Sequence, residues 1–161
     1  MTKTGTPEIP IETTRPAVDA RLLVFACKWC GLIGADGAGR KRIALPPNFR
    51  VIPVECAASV EPDAVIRAFA DGIDGVVVMG CHLGGCRFND ANHTAVKRLE
   101  LLRELLDGTG IGRDRLLVSF GTAHEDHQFA GIIQDFTALI KTKKPLSPWI
   151  PFRAGAVKEY R

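Results

Sequence analysis

Between Arg21 and Lys141 the chain alternates apolar runs of strand length with longer stretches of helical periodicity, and no other feature limits its fold so tightly. The strand-like runs are Leu22–Ala26, Arg50–Glu55, Asp74–Gly80 and Leu116–Phe120. Helices are predicted over Ala35–Ile43, Glu61–Gly72, Asn89–Leu106 and Glu125–Ile140. Ser59 is the expected N-cap of the second helix, with Pro62 in its first turn. Val65, Ile66 and Phe69 recur there at helical spacing. In the longest helix Leu99, Leu102, Leu105 and Leu106 form the expected core stripe, and Arg98, Glu100, Arg103 and Glu104 the outer face. The last helix carries Phe129, Ile132, Ile133, Phe136 and Ile140 toward the core.

Alternation of this kind implies parallel strands joined by right-handed crossovers. Near-continuous apolar strands suit burial on both faces. The expected fold is therefore α/β: a small open parallel sheet of about four strands in the order 2-1-3-4 with flanking helices, flavodoxin- or Rossmann-like. This unit covers 21–141, between an N-terminal extension over 1–20 and a C-terminal arm over 142–161. Trp149, Ile150 and Phe152 in that arm are costly to leave in water, about 1.5–3 kcal/mol each when fully transferred. They are expected to dock on a partner.

Each of the first three strands leads into cysteine. Cys27 and Cys30 follow the first, Cys56 the second, and Cys81 and Cys86 the third. In open parallel sheets ligands sit beyond the carboxyl ends of the strands, where strand order reverses. In the order 2-1-3-4 the first strand lies between the other two, so five thiols converge on one crevice. A [2Fe–2S] cluster needs four thiolates, two per iron. The spacing pairs Cys27 with Cys30 and Cys81 with Cys86, leaving Cys56 spare. A set that uses Cys56 and releases Cys30 is equally legal. Zinc is the first rival, since tetrahedral sulfur sites suit it, though usually on short knuckles rather than strand ends. A dithiol redox protein is the second, but leaves Cys56, Cys81 and Cys86 without work. Ordinary core packing explains single cysteines better than five after three strands.

Composition narrows the partners. At 161 residues, with 46% hydrophobic and 24% charged residues, the chain suits one domain. Its net charge of +3 is scattered, which does not favour nucleic acid. No apolar run reaches membrane-spanning length, and Met1 to Pro16 lacks the apolar region of a signal peptide. A cytoplasmic protein with an odd number of cysteines is expected to use them for metal or redox chemistry.

The chain resembles the methyl-viologen-reducing hydrogenase delta subunit family from about Arg21 to Ile140. The matching residues are Cys27-Lys-Trp-Cys30 with Gly34-Ala-Asp36, Val54-Glu-Cys56, Gly72-Ile-Asp-Gly75-Val-Val-Val, Gly80-Cys81-His82, Cys86 and Lys97-Arg98. The resemblance implies a small non-catalytic [2Fe–2S] subunit. It would relay electrons between a hydrogenase, formate-dehydrogenase or other iron–sulfur subunit and a heterodisulfide-reductase A-like flavin/iron–sulfur subunit. Two positions depart from the family pattern. Arg87 stands where a histidine often follows the last cysteine, and Ala57-Ala58 where a serine–glycine pair often follows the middle one. An inward-pointing Arg87 would raise the cluster potential relative to a neutral residue.

Among the other residues, three roles are open to His82, replacing a thiolate, donating a hydrogen bond to sulfur or facing solvent, and Trp29 is expected to shield the cluster, form an interface or pack. His93, His124 and His127 read as surface or capping residues, and Asp36 as a cap. Gly34-Ala-Asp-Gly37-Ala-Gly39 is neither a dinucleotide fingerprint nor a phosphate loop.

Overall fold

The computed structural model describes residues 20–121 and 125–148. Four strands, β1 (Leu22–Cys27), β2 (Phe49–Val54), β3 (Gly75–Cys81) and β4 (Leu116–Gly121), form one sheet in the order β2-β1-β3-β4. All three pairings are parallel. The register sets Ala26 opposite both Pro53 and Met79, so the ends of β1, β2 and β3 come level. The expected sheet and strand order hold.

Helices α1 (Gly31–Arg40) and α4 (Asp126–Lys141) cover one face, and α2 (Pro62–Ala70) and α3 (Ala91–Gly108) the other. The strand period of two divides the core between them. Val76 and Val78 point toward α2 and α3, into a cluster with Phe69, Leu99, Leu102 and Leu106. Val77 and Met79 point the other way, among Phe129, Ile133, Phe136 and Ile140. β3 is buried throughout, whereas β2 is an edge strand with Arg50, Ile52 and Pro53 exposed. Pro53, which cannot donate to a ladder, fits that edge.

Four local expectations change. The first helix starts at Gly31, directly after Cys30, and ends at Arg40. Its glycine-rich start reads as loop, but Gly31 serves close packing: a Cβ there would lie 2.9 Å from Met79 Cβ. Asp36 sits inside this helix, ion-paired with Arg40, and is not a cap. Ser59 belongs to a 3-10 turn, Ala57–Ser59, and donates to the Cys56 carbonyl, so Glu61 occupies the N-cap position of α2. Leu105 is 59% exposed and Ile66 46% exposed, because the core stripes of α3 and α2 are narrower than the run of apolar residues.

The chain after α4 runs back along the domain. Leu146 packs against the α2–α3 core, and its amide donates to Asp74 Oδ1 at 2.8 Å. Arg115 donates to the Lys144 carbonyl at 2.6 Å. Packing thus continues past Lys141 to Leu146. The expected anchors Trp149, Ile150 and Phe152, the extension over 1–19 and His124 lie outside the described residues.

Candidate metal centre

The level strand ends bring the five cysteines to one edge of the sheet. Cys27 and Cys81 are the final residues of β1 and β3, and both are buried. Their Sγ atoms are 3.8 Å apart. Cys30 occupies the N-cap position of α1 and is partly buried. Cys56 follows β2, is buried, and accepts a bond from the Ala58 amide at 3.4 Å. Cys86 is partly buried and accepts one from the Phe88 amide, also at 3.4 Å. Cys30 interacts with Cys81 and Cys56 with Cys86, so the group is continuous. Among the described residues, no three Cys, His, Asp or Glu side chains already stand as a cage for one metal ion.

The thiols sit in a low-dielectric rim. Burial raises the pKa of Cys27, Cys30 and Cys56, and pushes Cys81 up to about 12. Neighbouring thiols add to the effect, since ionising one disfavours ionising the next. As free thiols these groups stay protonated, and a bound metal would have to displace their protons.

Three supports hold the loops in place, and the sequence singled out none of them for that role. Asn92, in the first turn of α3, is buried. Its Nδ2 donates to the Cys81 carbonyl at 3.2 Å and the His82 carbonyl at 2.7 Å, while its Oδ1 accepts from the His93 amide. Arg98 reaches from α3 to the Ala58 carbonyl and pairs with Glu61, which fixes the turn after Cys56. Lys28 pairs with Glu55 across the ends of β1 and β2. Asn92 carried one readable signal: a polar residue opening a helix just after a cysteine loop.

His82 is exposed, with Nε2 3.3 Å from Glu125 Oε1. His93 and His127 are exposed as expected. Gly84 has φ +82°, which lets the Cys81–Cys86 loop turn tightly. That loop displays Leu83, 52% exposed, and Phe88 just after it is 45% exposed. Arg87 does not point inward as a bare charge; its guanidinium carbon lies 4.1 Å from the Trp29 ring centroid. A cavity of about 20 Å³ beside Gly31, Gly80 and Gly121 has room for little more than one water.

The family model described as methyl-viologen-reducing hydrogenase, delta subunit, matches residues 22–142. The chain belongs to this family. It is 36% identical over 127 residues to an F420-non-reducing hydrogenase iron-sulfur subunit of Archaeoglobus profundus, spanning 79% of this chain and 93% of that one. It is 35% identical over 127 residues to the F420-non-reducing hydrogenase vhc iron-sulfur subunit of Methanococcus voltae, spanning 79% and 88%. A polypeptide of the ferredoxin/F(420)H(2)-dependent CoB-CoM heterodisulfide reductase of Methanosarcina acetivorans is 34% identical over 125 residues. That match spans 78% of this chain but 16% of the relative, so a delta-like segment forms a small part of a larger polypeptide there.

The residues at the edge fit an iron–sulfur group. Sulfur is the donor such clusters use. The indole N–H of Trp29, between Cys27 and Cys30, is buried without a hydrogen-bond partner.

Proposed function

We propose that this chain is a cytoplasmic electron-transfer subunit whose cysteines hold one [2Fe–2S] cluster. The observation that carries the reading is the convergence of Cys27, Cys30, Cys56, Cys81 and Cys86 on one sheet edge in a family whose relatives are named iron-sulfur subunits. When bound, such a cluster supplies a reversible one-electron couple. The chain's own residues fix its place. β1 and β3 present Cys27 and Cys81 from buried strand ends, and the loops bring Cys30, Cys56 and Cys86 around them. Two thiolates about 2.3 Å from one tetrahedral metal stand roughly 3.8 Å apart. The Cys27–Cys81 separation of 3.8 Å would suit a pair on one iron, as would the contact of Cys30 with Cys81, beside the Cys27–Cys30 pair suggested by spacing. Cys86, with Cys30 or Cys56, would complete the set of four thiolates.

The partners we assign are two. One is a heterodisulfide-reductase A-like flavin/iron–sulfur subunit. The other is an oxidoreductase subunit of the hydrogenase or formate-dehydrogenase type that gives or takes the electron. The first rests on the relatives in which a similar segment lies within a longer heterodisulfide reductase polypeptide. Leu83, exposed on the loop between Cys81 and Cys86, and Phe88, exposed just after it, offer an apolar rim for such a contact.

Anaerobic purification with iron, sulfide and zinc analysis tests the centre. Two irons and two acid-labile sulfides per chain are expected, with an S = 1/2 signal on reduction. Stoichiometric zinc without sulfide in a native preparation would overturn the assignment.

A further inference from the structure

Among the described residues three buried side-chain polar atoms lack a hydrogen bond: Trp29 Nε1, Asn48 Oδ1 and Arg98 Nε. Asn48 and Arg98 bond through their other polar atoms, Asn48 to the Ala20 carbonyl and Arg98 to Glu61 and the Ala58 carbonyl. Trp29 has no other polar atom in its side chain, so its whole hydrogen-bonding capacity is unmet. Buried indole N–H groups normally find an acceptor. This one lies in the turn between two thiols. A neutral thiol accepts weakly, whereas a thiolate or sulfide carries charge and accepts well.

The ring is also held from the opposite loop. Arg87, next to Cys86, stacks over it at 4.1 Å, and Lys28 Nζ lies 5.1 Å from the same centroid. Cations over a ring face are attracted to its π density. The N–H lies in the ring plane, so a cation on the face leaves it free to donate. Arg87 thereby ties the Cys27–Cys30 turn to the Cys86 loop and fixes the plane in which the N–H points.

Building on the proposed cluster, we infer that Trp29 is a positioning residue whose indole N–H donates to a sulfur of the bound cluster, with Arg87 clamping the ring. Such a bond favours the reduced, more negative state and raises the reduction potential.

Trp29→Phe keeps an aromatic ring under Arg87 and removes the donor. Its iron and sulfide content should equal that of the parent, and its midpoint potential should shift to a more negative value. An unchanged potential at full iron content would show that Trp29 only packs. A second measurement does not depend on this variant folding. The chain has two tryptophans, so ¹⁵N-indole labelling of Trp149→Phe protein marks Trp29 alone. Pulsed EPR of its reduced form should show ¹⁵N coupling and an exchangeable proton that disappears in D₂O. Absence of both would overturn the inference while leaving the cluster assignment intact. Parent protein without iron or sulfide would instead overturn the cluster assignment, and this inference with it.

Discussion

Cys81 ends a strand buried on both faces, and its thiol is pushed up to about 12. With Cys27 it forms the least exposed pair of the five thiols. Loss of a buried ligand leaves an iron valence that nearby groups cannot readily reach. Cys27→Ala and Cys81→Ala are therefore expected to lose the cluster, by iron and sulfide analysis. With five thiols for four ligand positions, either Cys30→Ala or Cys56→Ala should keep an assembled cluster. Equal and complete loss in all five alanine variants would contradict the spare-thiol argument. Asn92 acts through the backbone. Asn92→Ala frees the Cys81 and His82 carbonyls from their side-chain donor, and is expected to cost roughly 1–3 kcal/mol in denaturation experiments. Asn92→Asp would turn a carboxylate toward the same carbonyls and should be worse in both stability and iron retention.

The elements are also tied together at the ends of the strands opposite the cysteines. Asp74, just before β3, is buried, and its carboxylate accepts from the Arg21 and Leu146 amides, each at 2.8 Å. Its own carbonyl accepts from Arg115 at 2.9 Å. One side chain thus links the start of β1, β3 and the segment after α4. Asp74→Ala strips two backbone donors of their acceptor and should destabilise the domain by roughly 2–4 kcal/mol, read from urea unfolding. Asp74→Asn, with one carbonyl oxygen left, should lose less. Cluster absorbance in the folded Asp74→Asn protein should be unchanged, because this network lies at the far end of the strands.

For the whole molecule the buried and partly buried thiols set a pH dependence. Cys27, Cys30, Cys56 and Cys81 have pKa values raised above the ordinary 9.0. In the unfolded cluster-free chain they ionise near that ordinary value; in the folded chain they hold their protons longer. The unfolded state then binds fewer protons, so stability falls as pH rises. The contribution is fully present below about pH 9 and is lost progressively through the folded values, which reach about 12 for Cys81. Urea midpoints of the cluster-free chain should be nearly flat with respect to these thiols below pH 9 and fall above it. Cys81→Ser should flatten the upper part of that fall. A midpoint that rises above pH 9 would contradict the assignment of protonated buried thiols.

The sequence by itself determined the layout of this protein. Short, near-continuous apolar runs alternating with period-3.6 helices specify a layered parallel sheet, and the thiols follow the strands that such a sheet brings together. These are local signals, written in consecutive residues. Tertiary structure decided what depends on distant neighbours. Gly31, the first residue of α1, packs where Met79 leaves no room for a side chain, a fact invisible within the Gly31–Arg40 segment. Leu105 and Leu102 look alike on a helical wheel, yet the width of the α3 contact with the sheet leaves one exposed and buries the other. Ser59 has the chemistry of a cap but is drawn into the turn after Cys56, which Arg98 holds from forty residues away in the chain. The Cys27–Cys81 proximity, the carbonyl-binding role of Asn92 and the stacking of Arg87 on Trp29 each join residues from separate elements of the fold. Periodicity carries the path of the backbone. Contacts between loops depend on how closely the packed elements approach, and only the folded chain settles that.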